Sequence, residues 1–212
     1  MRFVVIGDIV NSRSLADRGA AQDLFRREVE NLNTDYPDQI LSPMIVTLGD
    51  EFQGVLSSSS KLFLIVHQIQ TRLRQQQEDL QIRFGFGLGE IDTEINREAA
   101  IGMDGSAFHA ARDALERAKS DNRQYAIWGQ DDAVKLLDFH CVWIDMAVSK
   151  WKPHRLAMMH YHRLGESQQR IETRLGISQP AISQNLSNTE TQLVLKTEKL
   201  IEEFLYPKIR SE

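Results

Sequence analysis

Apolar positions along the chain fall into two patterns, short continuous runs and stripes that recur every three to four residues. The first period marks strands and the second marks helices. Phe3, Val4, Val5 and Ile6, closed by Gly7, predict a buried strand over 2–8. Ala21, Leu24, Phe25, Val29 and Leu32 share a helical period and predict a helix over 19–32. Two strands, 44–48 and 52–56, flank the turn Gly49-Asp50-Glu51 and form a β-hairpin. The serines at 57–60 can cap the next helix, which runs to about 77 with Leu62, Ile65, Val66, Ile69 and Leu73 inward. A fourth strand is expected over 80–89, a polar loop over 92–104, an alanine-rich helix over 106–119 and a fifth strand over 125–128. After Gly129 only helical periodicity remains.

The first six elements follow the order βαββαβ, which is the split-βαβ, ferredoxin-like arrangement. The expected fold class is therefore α+β, a mostly antiparallel sheet with helices over one face, followed by an all-helical part. The expected division is an α/β domain over 1–130, a connecting helix over 131–150 and a helical domain over 151–212. That last part ends in an amphipathic helix over 189–205 with Leu193, Thr197, Leu200, Ile201 and Phe204 on its stripe. Such a helix serves equally well to pair with a twin or to pack on Leu156, Met159 and Leu164.

Composition narrows the class. At 212 residues, 42% hydrophobic and 26% charged, the chain has the makings of a packed core. Its single cysteine, Cys141, excludes an intramolecular disulfide and a cysteine zinc cluster, which suits a reducing compartment. No run of about 18 apolar residues is present, and the apolar part of the N-terminus is too short for a signal peptide. A cytoplasmic location with no membrane partner is expected. The net charge is -5, but 131–212 is balanced at 11 basic and 11 acidic residues, so the excess acid lies in the first 130. Over 150–186, Lys150, Lys152, Arg155, Arg163, Arg170 and Arg174 face only Glu166 and Glu172, a local +4. That patch is either a phosphate-binding surface or a solvated helix face. His154, His160 and His162 lack the spacing and carboxylate partner of a metal pair, and His67 sits in an apolar stretch.

Two carboxylates stand where chemistry is expected. Asp8 follows the first strand, and Asp50 lies in the hairpin turn. A split-βαβ sheet brings these two points to the same edge. Paired carboxylates are ligands for hard cations, although each Asp alone also suits an ordinary turn. The carbonyl of Ile9 offers a third oxygen. Gly7-Asp8-Ile9-Val10-Asn11-Ser12 resembles the first metal motif of class III nucleotide cyclases. Leu48-Gly49-Asp50-Glu51-Phe52 resembles the signature hairpin of GGDEF domains, and residues 111–119 resemble a late helix of that superfamily. The layout of the whole chain is similar to the SatD family.

The cyclase resemblance implies a nucleotidyl-cyclase-like fold with Asp8, Ile9 and Asp50 as ligands of Mg2+ or Mn2+. It implies Asn11, Ser12, Gly49 and Glu51 as nucleotide contacts and Arg112 as the cation that steadies the transition state. The ribose-orienting Asn of the cyclases falls at His109 here. Leu48 replaces a Gly that GGDEF enzymes need for close nucleotide approach. In homodimeric cyclases the metal and Arg sets come from opposite subunits, so a homodimer is implied. A nucleoside triphosphate or a cyclic nucleotide is the expected small-molecule partner.

The C-terminal part carries a second motif. Ser167 precedes a short helix to Leu175, Gly176 suits a left-handed helix end, and Ser178 with Pro180 opens a second helix over 179–187. Ile171, Leu175, Ile177, Ile182 and Leu186 are apolar, as a steep helix pair requires. The string 175–186 resembles the recognition half of bacterial helix-turn-helix regulators. That resemblance implies DNA as a partner, with Ser178, Gln179, Ser183, Gln184 and Asn185 toward base edges and Arg170 and Arg174 toward phosphates. The usual small residue after the first-helix Ile is Glu172 here. A helical hairpin used only for dimerisation is the alternative. The combined expectation is a transcriptional regulator with a cyclase-like sensing domain, or, in the second place, a nucleotidyl cyclase-type enzyme using two divalent metals.

Overall fold

The computed structural model describes residues 1–47 and 49–209. Strand β1 (Arg2–Ile9) is central. It pairs antiparallel with β3 (Glu51–Leu56) on one side and with β4 (Ile82–Gly89) on the other. Strand β2 (Ile40–Val46) lies outside β3, and β5 (Tyr125–Gly129) lies outside β4, giving the order β2-β3-β1-β4-β5. Because β5 runs parallel to β4, the sheet is mixed, with its other three pairings antiparallel as expected. A parallel pair needs a crossover, and α3 (Ser106–Ser120) supplies it.

The two faces of the sheet are covered differently. Phe3, Val5 and Ile9 share one apolar cluster with α1 (Arg18–Asp35) and α2 (Leu62–Gln76). Val4 and Ile6 point the other way and pack with Ala107, Ala111 and Leu115 of α3. Helices therefore lie on both faces, not on one as the element order suggested. The reason is legible in β4, whose Phe84, Phe86 and Leu88 alternate with Gly85, Gly87 and Gly89. The aromatic side joins the larger core, while the glycine side lets α3 approach at backbone contact. A Cβ on Gly87 would stand 2.2 Å from the carbonyl oxygen of Ala107 and 2.3 Å from the nitrogen of Ala111.

After β5 the chain is helical: α4 (Asp132–Val148), α5 (Pro153–Arg163), α6 (Gln168–Leu175), α7 (Gln179–Ser187) and α8 (Thr189–Leu205). Five of these plus the first three make eight α-helices among the described residues. Helices α4, α5 and α8 share the larger apolar cluster with α1 and α2. The inward stripe of α8 is Thr191, Val194, Glu198, Ile201 and Leu205. This corrects the expected stripe, since Leu193 and Leu200 are about half exposed at 45% and 49%. The helix is thus core against its own chain, turned by part of a turn from the simplest hydrophobic reading, because a buried Glu198 holds a place on its inner face.

Candidate functional site

The end of β1 and the β2–β3 turn meet at one edge of the sheet. The N–H of Ile9 donates to the carbonyl of Asp50 (2.9 Å), which locks the turn against the strand end. Gly49 holds φ at +76°, in the left-handed region, where a side chain would be strained. Leu48, the residue that replaces a glycine in the hairpin comparison, lies outside the described residues. Past Ile9, Asn11 is also left-handed (φ 52°), and it reverses the chain so that the buried Ser12 hydroxyl donates to the Asp50 carboxylate. The result is an open cleft of about 660 Å³ lined by Asp8, Ile9, Asn11, Ser12, Asp50 and Glu51, with Arg13, Ser14, Arg83 and Lys119 completing the wall.

The cleft is built from alternating charges. Asp8 stands opposite Glu51 on β3 and Arg83 on β4, so three charged groups line up across the sheet on the α3 face. Helix α3 answers with two cations two turns apart. Arg112 grips Glu51 bidentately, one branch at 2.7 Å, and Lys119 Nζ lies 3.4 Å from Asp8. Arg18 reaches Asp50 at 3.9 Å. Burial raises the Asp8 pKa, Lys119 pulls it back, and the charges of Asp50 and Glu51 push it up again. Burial lowers the pKa of Arg83. Its bond to Glu51 raises the pKa of Arg112. For Lys119, burial opposes the charge, but Glu116 and Asp8 more than offset it and the pKa rises.

Asp8 and Asp50 thus face one cleft and feel each other electrostatically. They do not form a ready metal centre: no group of three His, Cys, Asp or Glu side chains among the described residues is placed to hold a metal ion. A divalent cation in this cleft would find two carboxylates, one of them beside Lys119, and would take its remaining oxygens from elsewhere. Arg112 is held by Glu51 on the outer side of this network. His109 is not in the cleft. It is 74% exposed, 3.1 Å from Asp104, and lines a separate depression near Trp128. Lys119, Arg83 and Arg13 escaped sequence reasoning. The seven-residue interval from Arg112 to Lys119 is a same-face spacing that signals the first. Arg83 emerges only from the strand register.

The helical part has the geometry of two short helices around a tight turn. Ser167 caps α6 through the N–H of Arg170 (3.3 Å), and Gly176 ends that helix in the left-handed region at φ 67°. Ile171, Ile182 and Leu186 are buried between the helices. Glu172 neither opens the pair nor turns away. Its carboxylate accepts the N–H of Gln179 at 3.1 Å, satisfying a free donor at the start of α7. Ser178 sits at the N-cap position of α7 but makes no capping bond of its own. Ser178, Gln179, Ser183 and Gln184 are exposed; Asn185 is half-buried and donates back to the Ala181 carbonyl (2.9 Å).

The basic patch is smaller than its residue count. Arg163 is paired with Glu198, Arg155 lies 3.5 Å from Glu190, and Arg174 is tied to Glu166 at 3.0 Å and stacked on Tyr161. Arg170, Lys150 and Lys152 remain exposed. A family model, that of the SatD family, matches residues 2–205, almost the full length of the described chain. The chain belongs to the SatD family. The match spans both the α/β part and the helical part, so the carboxylate cleft and the α6–α7 pair of this SatD-family chain fall within one family unit. No curated protein matches the chain. None of the helices among the described residues is long and apolar enough to cross a membrane.

Proposed function

We propose that this SatD-family protein is a DNA-binding transcriptional regulator, acting as a homodimer, whose nucleotidyl-cyclase-like α/β part senses a nucleotide or a divalent cation. In this reading α6 and α7 are a helix-turn-helix and α7 enters the major groove. One observation carries it. The outer face of α7 presents Ser178, Gln179, Ser183 and Gln184 without an intramolecular use, on a helix anchored from behind by Ile182 and Leu186 and at its start by Glu172. Gln side chains offer the paired donor and acceptor that adenine edges accept. Arg170 contributes a phosphate contact. Arg174 reaches phosphate only by releasing Glu166, and Asn185 reads a base only by releasing Ala181.

The sensing site is the Asp8–Asp50 cleft. Its crowded carboxylates favour an added cation, Mg2+ or Mn2+, and the phosphates that would come with it would meet Arg13 and Lys119. Asn11, Ser12 and Gly49 lie where a nucleotide in that cleft would touch backbone and hydroxyl. The rival reading is a nucleotidyl cyclase-type enzyme. It needs Arg112 free for a triphosphate and needs a fuller ligand set, and the Arg112–Glu51 bond together with the sparse carboxylates favours sensing over turnover.

The test starts from duplex DNA enriched from a random pool by the intact protein. The double variant Gln179→Ala, Gln184→Ala should lose sequence preference by at least ~10-fold while keeping non-specific binding, in a fluorescence anisotropy titration. Unchanged preference would overturn the helix-turn-helix reading. Asp8→Ala should abolish any shift of that affinity produced by Mg2+ with ATP or GTP. Product formation from any NTP with Mg2+ or Mn2+ would establish the enzyme instead.

A further inference from the structure

Helix α4 is apolar on both sides. Val134, Leu137, Cys141, Ile144, Ala147 and Val148 face the core. On the opposite side Leu136 is 62% exposed, Phe139 74% and Met146 56%, with Trp143 half-buried between them. The spacing 136, 139, 143, 146 is the alternating three-and-four step of a helix-pairing seam; none of the four is charged, and His140 flanks them, its ring 3.2 Å from the Leu136 carbonyl. A helix that is hydrophobic all round is a buried helix, yet nothing in this chain covers the outer face among the described residues.

The seam reads the same in both directions about Cys141. Leu136 and Met146 lie five positions on either side of it, and Phe139 and Trp143 lie two on either side. The next positions out, nine on either side, are Asp132 and Lys150, of opposite charge. Asp132 opens α4 and Lys150 follows its C-cap, Ser149. Two copies laid antiparallel across a two-fold axis at residue 141 would set Phe139 against the partner's Trp143 and Leu136 against the partner's Met146. Each Asp132 would then meet the partner's Lys150. In a parallel pair Asp132 would meet its own kind and Lys150 likewise. An isologous interface requires such self-complementarity. Opposed helix dipoles also favour the antiparallel pair.

We infer that α4 is the homodimer interface, an antiparallel helix pair centred on Cys141. Asp132 now holds Lys135 at 2.7 Å, but both are surface groups three apart on one helix, and that bond is easily exchanged for a second cation. The inference deepens the dimer named above. It does not depend on DNA binding, and its test contains no DNA, so its failure and that of the helix-turn-helix reading are separable.

Sedimentation of the full chain at micromolar concentration should give a dimer. Phe139→Glu should weaken it at least ~100-fold, because each substitution acts twice across the axis. It should leave the far-ultraviolet circular dichroism unchanged, since Phe139 is outside the core. The register is tested by cysteines. Asp132→Cys with Lys150→Cys in one chain should give a covalent dimer on mild oxidation. The two positions are 18 residues apart, about 27 Å along a helix, far beyond the span of an intramolecular disulfide. Either single variant should stay uncrosslinked. A monomeric wild-type chain, a dimer indifferent to Phe139→Glu, or crosslinking of a single cysteine variant with itself would each overturn the proposal.

Discussion

The substitution Glu198→Gln isolates the polar tie that holds the helical part onto α2. Glu198, on the inner face of α8, is 4% exposed. Its carboxylate accepts two bonds from Arg163 at the end of α5, at 2.7 and 2.9 Å, and lies 2.8 Å from Nε2 of the fully buried His67 on α2. Burial lowers the pKa of His67, and Arg163 lowers it further against the pull of Glu198; with a carboxylate as its partner, Nε2 is the donor. Burial works against the Glu198 charge, but Arg163 and His67 overcome it and bring the pKa down to about 2. The amide keeps the shape and removes the charge, leaving Arg163 buried without a counter-ion. A buried pair broken on one side costs about 3–5 kcal/mol. Global stabilities run to about 5–15 kcal/mol, so the loss is large. For a chain of this length it should lower Tm by roughly 6–20 °C.

Urea unfolding at pH 7 measures the loss directly. The double variant Glu198→Leu, Arg163→Met should recover part of it, because both buried charges vanish together while the His67 Nε2–H is left without its acceptor. The pH dependence gives a second check. A carboxyl whose folded pKa lies below its ordinary value stabilises the fold above that ordinary value and loses the contribution as pH falls. The window here runs from 4.5 down through 2. It is worth roughly 3 kcal/mol, and Glu198→Gln should erase it. A variant within 1 kcal/mol of wild type at pH 7, or one with the same acid limb, would refute the reasoning.

Gly87→Ala should destabilise by about 3 kcal/mol in urea unfolding, because its Cβ meets the α3 backbone, while Gly19→Ala, with nothing nearer than 3.7 Å, should be harmless. Burial holds the His160 pKa at about 4, with His67 and Arg163 adding to the effect. The unfolded chain therefore takes up that proton first, and stability falls between pH 6.5 and 4 by roughly 3 kcal/mol in full, a loss that His160→Gln should lack when the two are compared across that range. Arg112→Leu should cost about 1–2 kcal/mol, less than a fully buried pair because Arg112 is 41% exposed, and chemical denaturation of Arg112→Leu beside Glu51→Gln tests whether the two losses are shared.

Local pattern alone was enough for the element order up to β5, while α5 was left within a stretch read only as helical. The strand at Phe3–Ile6, the hairpin around Gly49, the helix capped by Ser167 and the helix that starts after Ser178 depend on neighbours within a few residues, and their periods and turn residues are visible in one dimension. The meeting of Asp8 with Asp50 also followed from strand adjacency. Three decisions were tertiary. The side of the sheet that α3 covers depends on the glycine column of β4, which has meaning only once a helix lies on it. The charge of the α5–α7 region depends on Glu190 and Glu198, which belong to α8 and lie beyond any local window. The partners of the cleft carboxylates, Lys119 and Arg83, come from 111 and 75 positions away along the chain and are joined to Asp8 by packing and strand register. Short-range sterics and hydrogen bonding set the elements; long-range ion pairing and close packing set the site.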